Sequence, residues 1–570
     1  MSNLPLRKLG GVGVITDQNP YDLPANAYSA CNNVIFSDDR VMRAPVFKQL
    51  FNPIRSTLAY NATATTYAGN PNTYSSAEGG SSNASRFVGS YTDPTAGETV
   101  FVADNDGTIR AYPNNVMGFQ TPASGYTPVV NDNPWSHAQV SGVSFLARKG
   151  MRPFARNVAH DTAYSVIGGD WVSTDTASIV RGFMGFCIML GMNKNGVDYP
   201  TMVKWNNPAQ YSSTIANIFW DPANPNYVSG ENVIGEMKTP IRDGLVLGNA
   251  FVIYSQDQVW LMEYRGDSQV FNFRRLPFTG GILNANCVVE VDGKHYVFGE
   301  NDIYLHDGIA KQSLADQRVR RRIYNTLDRS KQQSCFVVHD AVSKLIHFCY
   351  ATLQEEATFF GTQFCTQSAI YNYKNDTWSF MDLPNIVGGA SAQASLVQNL
   401  YTNLTSGYTL YNTSYTSFNS GSQKISIMLG ISDTRFGLTD SRVYAVDLPT
   451  IGLVNLPACL ETLKPAYVER IGIDMDTQGL PLRNYKTIQS VVPQASFDNS
   501  TGYFSCQFGA ADLPMGSVNY KPPITFDPAT DYKMDMMVSG RYLAYKFTTP
   551  SISNFELSGF DAEVKSLSRR

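Results

Sequence analysis

Short apolar runs separated by tight polar turns recur along this chain, with the alternation of strands and not the 3.6-residue period of helices. Phe101 to Tyr112 reads as a hairpin turning at Asp106-Gly107. Met184 to Leu190 and Tyr199 to Trp205 flank Asn193-Lys-Asn-Gly196, and Leu245 to Tyr254 and Val259 to Tyr264 flank Ser255-Gln-Asp257. Cys287 to Val291, His295 to Phe298 and Ile303 to Leu305 form a three-strand phrase around Asp292-Gly293. Phe336 to His339 pairs with Leu345 to Tyr350, and Ala369 to Tyr373 with Trp378 to Phe380. Strands this short at such spacing predict a propeller, a sandwich or a barrel. The Tyr371-x-Tyr373, turn, Trp378-Ser379 phrase is like the outer hairpin of a kelch-type blade and favours the propeller. The expected fold is mainly β: a β-propeller-like platform with inserted loops and additional β segments.

Interruptions of the pattern suggest boundaries. Residues 1–50 read as an extended arm and hairpin, because Pro20 and Pro24 disfavour helix from Asp17 to Ala25 and Asn33-Val-Ile-Phe36, Asp38-Asp39 and Val41 to Pro45 spell strand, turn and strand. Residues 51–387 read as the propeller-like core, with a polar insertion at 61–85; residues 388–457 as a polar loop and strand insertion; residues 458–570 as a C-terminal β region. The segments Asn61 to Ser85 and Ala390 to Ser422 lack the apolar periodicity that offsets backbone ordering, so both are expected to face solvent, a channel or a partner. One helix is expected: Ser313-Leu-Ala-Asp316 has the form of a capping box, with Val319, Ile323 and Leu327 on one face and Arg318, Arg320, Arg321 and Arg322 on the rest.

Composition narrows the function. The 570 residues exceed one ordinary compact domain, only 16% are charged, and 32 Tyr with 31 Phe bring aromatics to 12%. That balance suits strands and protein contacts. A formal net charge of -4 gives no general grip on nucleic acid. No apolar stretch approaches the ~18 residues of a membrane span, and residues 1–25 lack the apolar stretch of a signal peptide, so cytoplasmic synthesis is the default. The eight cysteines form no C-x-x-C pair, and the expectation is buried, reduced thiols.

Chemical motifs are sparse. Asp104-Asn-Asp106-Gly107 resembles the opening of a calcium loop, but Asn115 stands where the bidentate Glu belongs, so a plain turn is expected. The six histidines show no H-E-x-x-H or H-x-H pattern, and His295 and His347 read as packing groups. There is no G-x-S-x-G elbow and no phosphate loop. No enzyme, no cofactor and no metal is therefore expected.

The segment from Gly10 to Phe36 resembles the N-terminus of the tail nozzle proteins of short-tailed, podovirus-type bacteriophages, also called tail tubular protein B. The matching residues are Gly10, Gly11, Asp17, Pro20 to Pro24, Asn26, Ala27, Ser29, Asn32 to Val34 and Phe36. The phrases at 244–264 and 278–308 resemble the family's blade strands, and the strand after Ser539-Gly-Arg541 with Leu557-Ser-Gly-Phe560 resembles its C-terminal signature. The resemblance implies a structural protein of the virion tail, made in a bacterial cytoplasm. It would form a homo-oligomer, a hexameric ring below the tail adaptor protein, continue the channel for transient passage of genomic DNA, and carry sites for tail fibre or tip proteins. The alternative is a glycan-binding or glycan-cleaving propeller associated with a tail spike, and a third reading is a kelch-like scaffold. The candidate assembly residues are Tyr21, Asp22, Leu23 and Pro24, where rigid proline chemistry displays two apolar side chains, and Arg318, Arg320, Arg321 and Arg322. The other reading of the arm is a strand packed on its own subunit; of the arginines, a solvated face paired locally, or a contact with DNA.

Overall fold

The computed structural model describes residues 2–51, 85–94, 97–113, 119–121, 132–208, 218–266, 269–353, 364–394, 423–431, 433, 435, 441–447, 464–476, 484–498, 502–513, 516–550 and 554–567. Among these, the turn chemistry delivers six successive four-strand antiparallel meanders. Blade 1 runs through Ser85–Asp93, Gly97–Asp104, Ile109–Pro113 and Phe119–Thr121. Blade 2 comprises Trp135–Val140, Val143–Arg148, Phe154–Asn157 and Ser165–Val166. Blade 3 comprises Thr176–Phe183, Phe186–Lys194, Val197–Trp205 and Gly230–Val233. Blade 4 comprises Ile241–Leu247, Ala250–Ser255, Val259–Tyr264 and Phe271–Arg275. Blade 5 comprises Val288–Val291, Lys294–Phe298, Ile303–His306 and Lys311–Ser313. Blade 6 comprises Phe336–Asp340, Leu345–Tyr350, Cys365–Asn372 and Thr377–Ala394, and its sheet continues through Gln423–Gly430, Arg442–Asp447 and Val46–Phe51.

Apolar slabs between neighbouring blades close these meanders into a ring. Tyr91 and Phe101 of blade 1 pack with Trp135 and Phe154 of blade 2. Phe145 of blade 2 packs with Val180 and Met189 of blade 3, and Leu190 and Trp205 of blade 3 with Phe251 and Trp260 of blade 4. One large cluster joins Tyr254, Phe298 and Phe348 of blades 4, 5 and 6. Val88 and Val102 of blade 1 meet Ile427 and Leu429 of the blade 6 sheet, which completes the circle. Each large apolar side chain buried this way contributes about 1.5–3 kcal/mol. The fold is a β-propeller of six blades among the described residues, carrying further β segments.

Those segments form a two-sheet sandwich from both ends of the chain. One sheet orders Met534–Gly540, Lys486–Phe497, Phe555–Ser566, Arg40–Arg43 and Val34–Ser37, with Ser2–Arg7 also on Phe555–Ser566. The other orders Asn519–Tyr520, Phe504–Ala511, Tyr542–Thr549, Ala466–Ile473 and Ala30–Asn32. Phe504 meets Phe555 edge-on at 5.2 Å and Tyr545 meets Phe560 at 4.9 Å, so aromatic rings fill the space between the sheets. The propeller is thus an insertion within a sandwich, and residues 1–50 are not a separate arm: they give strands to both sandwich sheets and to the blade 6 sheet, with Gly13–Val14 and Ala27–Tyr28 as a parallel pair of their own. Against the expectation of no helix there, they also hold a single 3-10 turn at Pro20–Asp22 that Asn19 caps.

Several expectations change. Leu245 to Tyr254 is not one strand: it folds back at Gly248, whose φ of 58° belongs to a turn. Ala390–Ala394, expected as outward-facing loop or weak exposed strand, is the end of the strand from Thr377, pairs with Gln423–Gly430 and buries Ala392 in the core. Small residues make this possible, a Cβ on Gly389 coming within 2.6 Å of Val338. The remainder of that polar stretch, 395–422, and all but Ser85 of the other, 61–84, lie outside the described residues. The helix spans only Arg320–Thr326, so the Ser313 capping box does not start it; Ser313 closes a blade strand, and its hydroxyl accepts from the Asp316 amide at 3.2 Å. Among the described residues no helix is long and apolar enough to cross a membrane.

The sandwich predicts the outcome of a truncation. Removing residues 1–30 strips Ser2–Arg7 from its partner strand, together with fully buried Tyr28. The expected result is loss of the sandwich's cooperative melting transition, with propeller strands still protected in amide exchange. A truncated protein with unchanged thermal unfolding would show that the terminus is dispensable for the fold.

Candidate functional site

The innermost strand of blade 3 places Arg181 among apolar neighbours, and its guanidinium reaches other blades. It pairs with the fully buried Asp243 of blade 4 at 2.8 Å, donates to Asn286 Oδ1 before blade 5 at 2.9 Å, and donates through Nε to the Gly244 carbonyl at 3.1 Å. Nη1 lies 3.4 Å from the His137 carbonyl of blade 2. Asn286, held at a φ of 63°, donates from Nδ2 to the Trp135 carbonyl of blade 2 at 2.9 Å and accepts from the Val337 amide of blade 6 at 2.8 Å. Blades 2 and 5 stand opposite each other in a ring of six, so the Asn286–Trp135 bond crosses the propeller axis. The axis is closed at this level by a satisfied polar hub, which excludes a duplex from running through it.

A second set of contacts joins the N-terminal segment to both domains, and it uses the residues that carry the family resemblance. The Asp17 carboxylate accepts from the Arg321 amide at 2.8 Å, supplying to the short helix the cap that its own Val319 lacks. Arg470, almost fully buried, donates to the Pro20 carbonyl at 2.6 Å and the Leu23 carbonyl at 2.8 Å. Ser29 donates to the Glu469 carbonyl at 2.9 Å and accepts from the Ile471 amide at 3.2 Å. Asn32 and Asn33 both donate to the Asp382 carboxylate of blade 6, at 2.8 and 3.0 Å. Gly10 is there for close approach and not for flexibility, since a Cβ would stand 2.2 Å from the Arg40 carbonyl oxygen.

The candidate assembly residues separate on this frame. Leu23 is buried, Tyr21 is half-buried with its ring 5.7 Å from Tyr542, and Asp22 and Pro24 are exposed. Burial and the Asp474 carboxylate raise the Tyr21 phenol above its ordinary range. Arg318 forms a two-pronged pair with Asp376, both contacts at 2.8 Å. Arg320 pairs with Asp316 at 3.3 Å, and Arg322 lies 3.7 Å over the Phe380 ring. Arg321 points outward and is exposed. Sequence reasoning missed Arg181, Asp243 and Asn286; the available signal was a charge inside an apolar strand, Ser178-Ile-Val-Arg181, with a second in Ile241-Arg-Asp243.

Groups that suggest catalysis are enclosed. Ser144 Oγ lies 2.9 Å from His137 Nε2 and 2.7 Å from the Tyr164 hydroxyl, but Ser144 and Tyr164 are fully buried in blade 2. Burial, then the Arg181 charge, pushes the His137 imidazole down to about 3. The Asp104 carboxylate forms a buried pair with Arg110 at the base of the hairpin turn, which ties up the first position of the apparent calcium loop. His295 and His347 are fully buried, as their strand positions suggested. Seven cysteines are free and buried, burial pushing Cys31 up to about 11 and Cys335 to about 12, while Cys459 lies outside the described residues. No group of three or more His, Cys, Asp or Glu side chains suited to a metal occurs among the described residues.

No protein-family model and no curated protein matches the chain. Among solved structures it is similar to a chain of the crystal structure of BBS1N in complex with ARL6DN, soaked with lead, at 10% identity and a TM-score of 0.34. That likeness covers 64% of this chain and 93% of the other and is too loose to bear on function.

The two kinds of arginine pair predict different losses. Arg181→Met leaves Asp243 charged and buried and should cost about 3–5 kcal/mol in denaturant unfolding. Arg318→Met, whose pair is partly exposed, should cost less than about 1 kcal/mol. Equal losses would contradict the hub's role.

Proposed function

We propose that this chain is a non-enzymatic structural subunit of a short phage tail, forming the nozzle ring that continues the DNA ejection channel below the adaptor and docks fibre or tip proteins. The observation that carries the reading is the ordered match from Gly10 to Phe36, supported by the phrases at 244–264, 278–308 and 539–560. Physical roles for the matched residues support it further: Asp17, Pro20, Ser29, Asn32 and Asn33 each tie the N-terminal segment to a distant part of the chain. These are the positions that a fold built this way requires.

The closed propeller axis restricts how such a conduit is built. Because Asn286 and Arg181 bridge the blades, DNA passes between subunits arranged around a shared axis, not through any one propeller. Low overall charge, with a net of -4, suits a bore through which a duplex slides without strong phosphate contacts. Of the arginine cluster, Arg321 is the member exposed for a neighbouring subunit, since Arg318 and Arg320 are paired and Arg322 is laid over an aromatic ring.

Native mass measurement and low-resolution imaging of the protein mixed with its tail partners test this. A closed ring of six with a central bore is expected, and Arg321→Glu should weaken ring assembly while leaving the melting temperature unchanged. A particle that stays monomeric with those partners, or release of reducing sugar from host polysaccharide, would overturn the proposal.

A further inference from the structure

Blades 4 and 5 share a buried chain of two imidazoles and one phenol whose proton positions are dictated by its ends. His295, His306 and Tyr254 have no exposed surface. The Tyr254 hydroxyl lies 2.7 Å from His295 Nδ1 and 2.5 Å from His306 Nε2. At one end the Gly308 amide donates to His306 Nδ1 at 3.1 Å, so that nitrogen carries no proton. His306 must therefore be neutral and donate from Nε2 to the Tyr254 oxygen. At the other end His295 Nε2 lies 2.7 Å from the Val246 carbonyl, which only accepts, so Nε2 carries the proton. The Tyr254 proton is left to donate to His295 Nδ1. Every donor then meets an acceptor, from the blade 5 turn at Gly308 to the innermost strand of blade 4.

The chain has no place for an additional proton. On His306 it would set Nδ1–H against the Gly308 N–H; on His295 it would leave the Tyr254 proton without an acceptor. We propose that this relay is an acid-sensitive latch: neutral imidazoles close the seam between blades 4 and 5, and protonation of either histidine opens it. The latch depends on the propeller alone and stands apart from the tail assignment.

The surroundings agree in sign. Asp243 of blade 4 and Glu290, paired opposite His295 in blade 5, favour a charged His295, and Asp307 favours a charged His306, while Lys311, opposite His306, and the neighbouring imidazole oppose it. The Tyr304 ring at 6.1 Å and the Phe278 ring at 5.1 Å complete the wall around His306. Burial outweighs the carboxylates, pushing His295 down to about 4 and His306 to about 3. Folded-state values below the ordinary ~6.5 mean that the contribution to stability is present above pH ~6.5 and is lost as pH falls toward the folded values. Between pH 7 and pH 5 each histidine should favour the open seam by about 25-fold.

Two measurements on the full chain test the latch. Ring-nitrogen spectra of histidine-labelled protein should show His295 and His306 neutral, protonated at Nε2, and not titrating above pH 5; either one titrating near 6.5 in folded protein overturns the proposal. Amide exchange of Val288–Val291, Lys294–Phe298 and Ile303–His306, corrected for intrinsic rate, should accelerate on acidification relative to the histidine-free strand Phe186–Lys194. The triple variant Tyr254→Phe, His295→Leu, His306→Leu should remove that acceleration, and an unchanged acid response would refute the latch. Should the triple variant fail to fold, Tyr254→Phe alone decides: it should speed exchange in these strands already at pH 7, and wild-type protection there counts against the proposal.

Discussion

The salt bridge between Arg181 and Asp243, made with almost no solvent access, is the constraint on which the propeller's centre depends. Six wedge-shaped sheets packed only by apolar slabs would leave a polar backbone facing an axial void, because the innermost strands converge there. Arg181 and Asn286 fill that position and satisfy carbonyls of three blades besides. Two charges so buried are costly to desolvate, and the attraction is repaid only with every remaining donor and acceptor matched. The hub meets that condition through the Gly244 and Asn286 amides, which donate to the Asp243 carboxylate at 2.7 Å each.

Closure of the sandwich depends on the ends of the chain. The first strand pairs with the last, Ser2 opposite Val564, and the propeller lies between them in sequence. Contact is continuous across the two domains: the large core cluster runs from Tyr254 and Phe298 of the propeller through Trp378 and Phe380 to Tyr28, Phe36 and Tyr545 of the sandwich. Cross-domain hydrogen bonds reinforce this, the Phe36 carbonyl accepting from Asn372 at 3.0 Å and Thr377 at 3.1 Å. Propeller and sandwich therefore meet across a continuous apolar interface rather than at a linker, while blades 1 to 4 keep apolar clusters of their own.

Local chemistry made most hairpins legible. Asp38 and Asp39 at φ of 49° and 63°, Asn195 and Gly196 at 50° and 82°, and Asp292 and Gly293 at 50° and 74° are turns that those residue types announce. Long-range pairing left no such trace. Nothing near Ser2–Arg7 specifies a partner strand at Phe555–Ser566, and the acid that caps the helix at Arg321 is Asp17, 304 residues away. The capping-box pattern points to a helix start earlier than Arg320 because Ser313 and Asp316 do form a local turn, and only the strand pairing of Lys311–Ser313 shows that this turn belongs to blade 5. The hub was hidden for the same reason: Arg181, Asp243 and Asn286 are meaningful only once the ring has closed.

On the proposed reading a conduit would take its bore from the arrangement of subunits, because the Arg181–Asp243–Asn286 hub closes the propeller axis at its level. That claim depends on the hub acting as one unit. A double-mutant cycle on Arg181→Met and Asp243→Leu, read by denaturant unfolding, tests it most directly. The two substitutions should be strongly non-additive, with a coupling toward the upper part of the roughly 0.5–3 kcal/mol seen for contacting residues. Losses that add to within about 0.3–0.5 kcal/mol would contradict it.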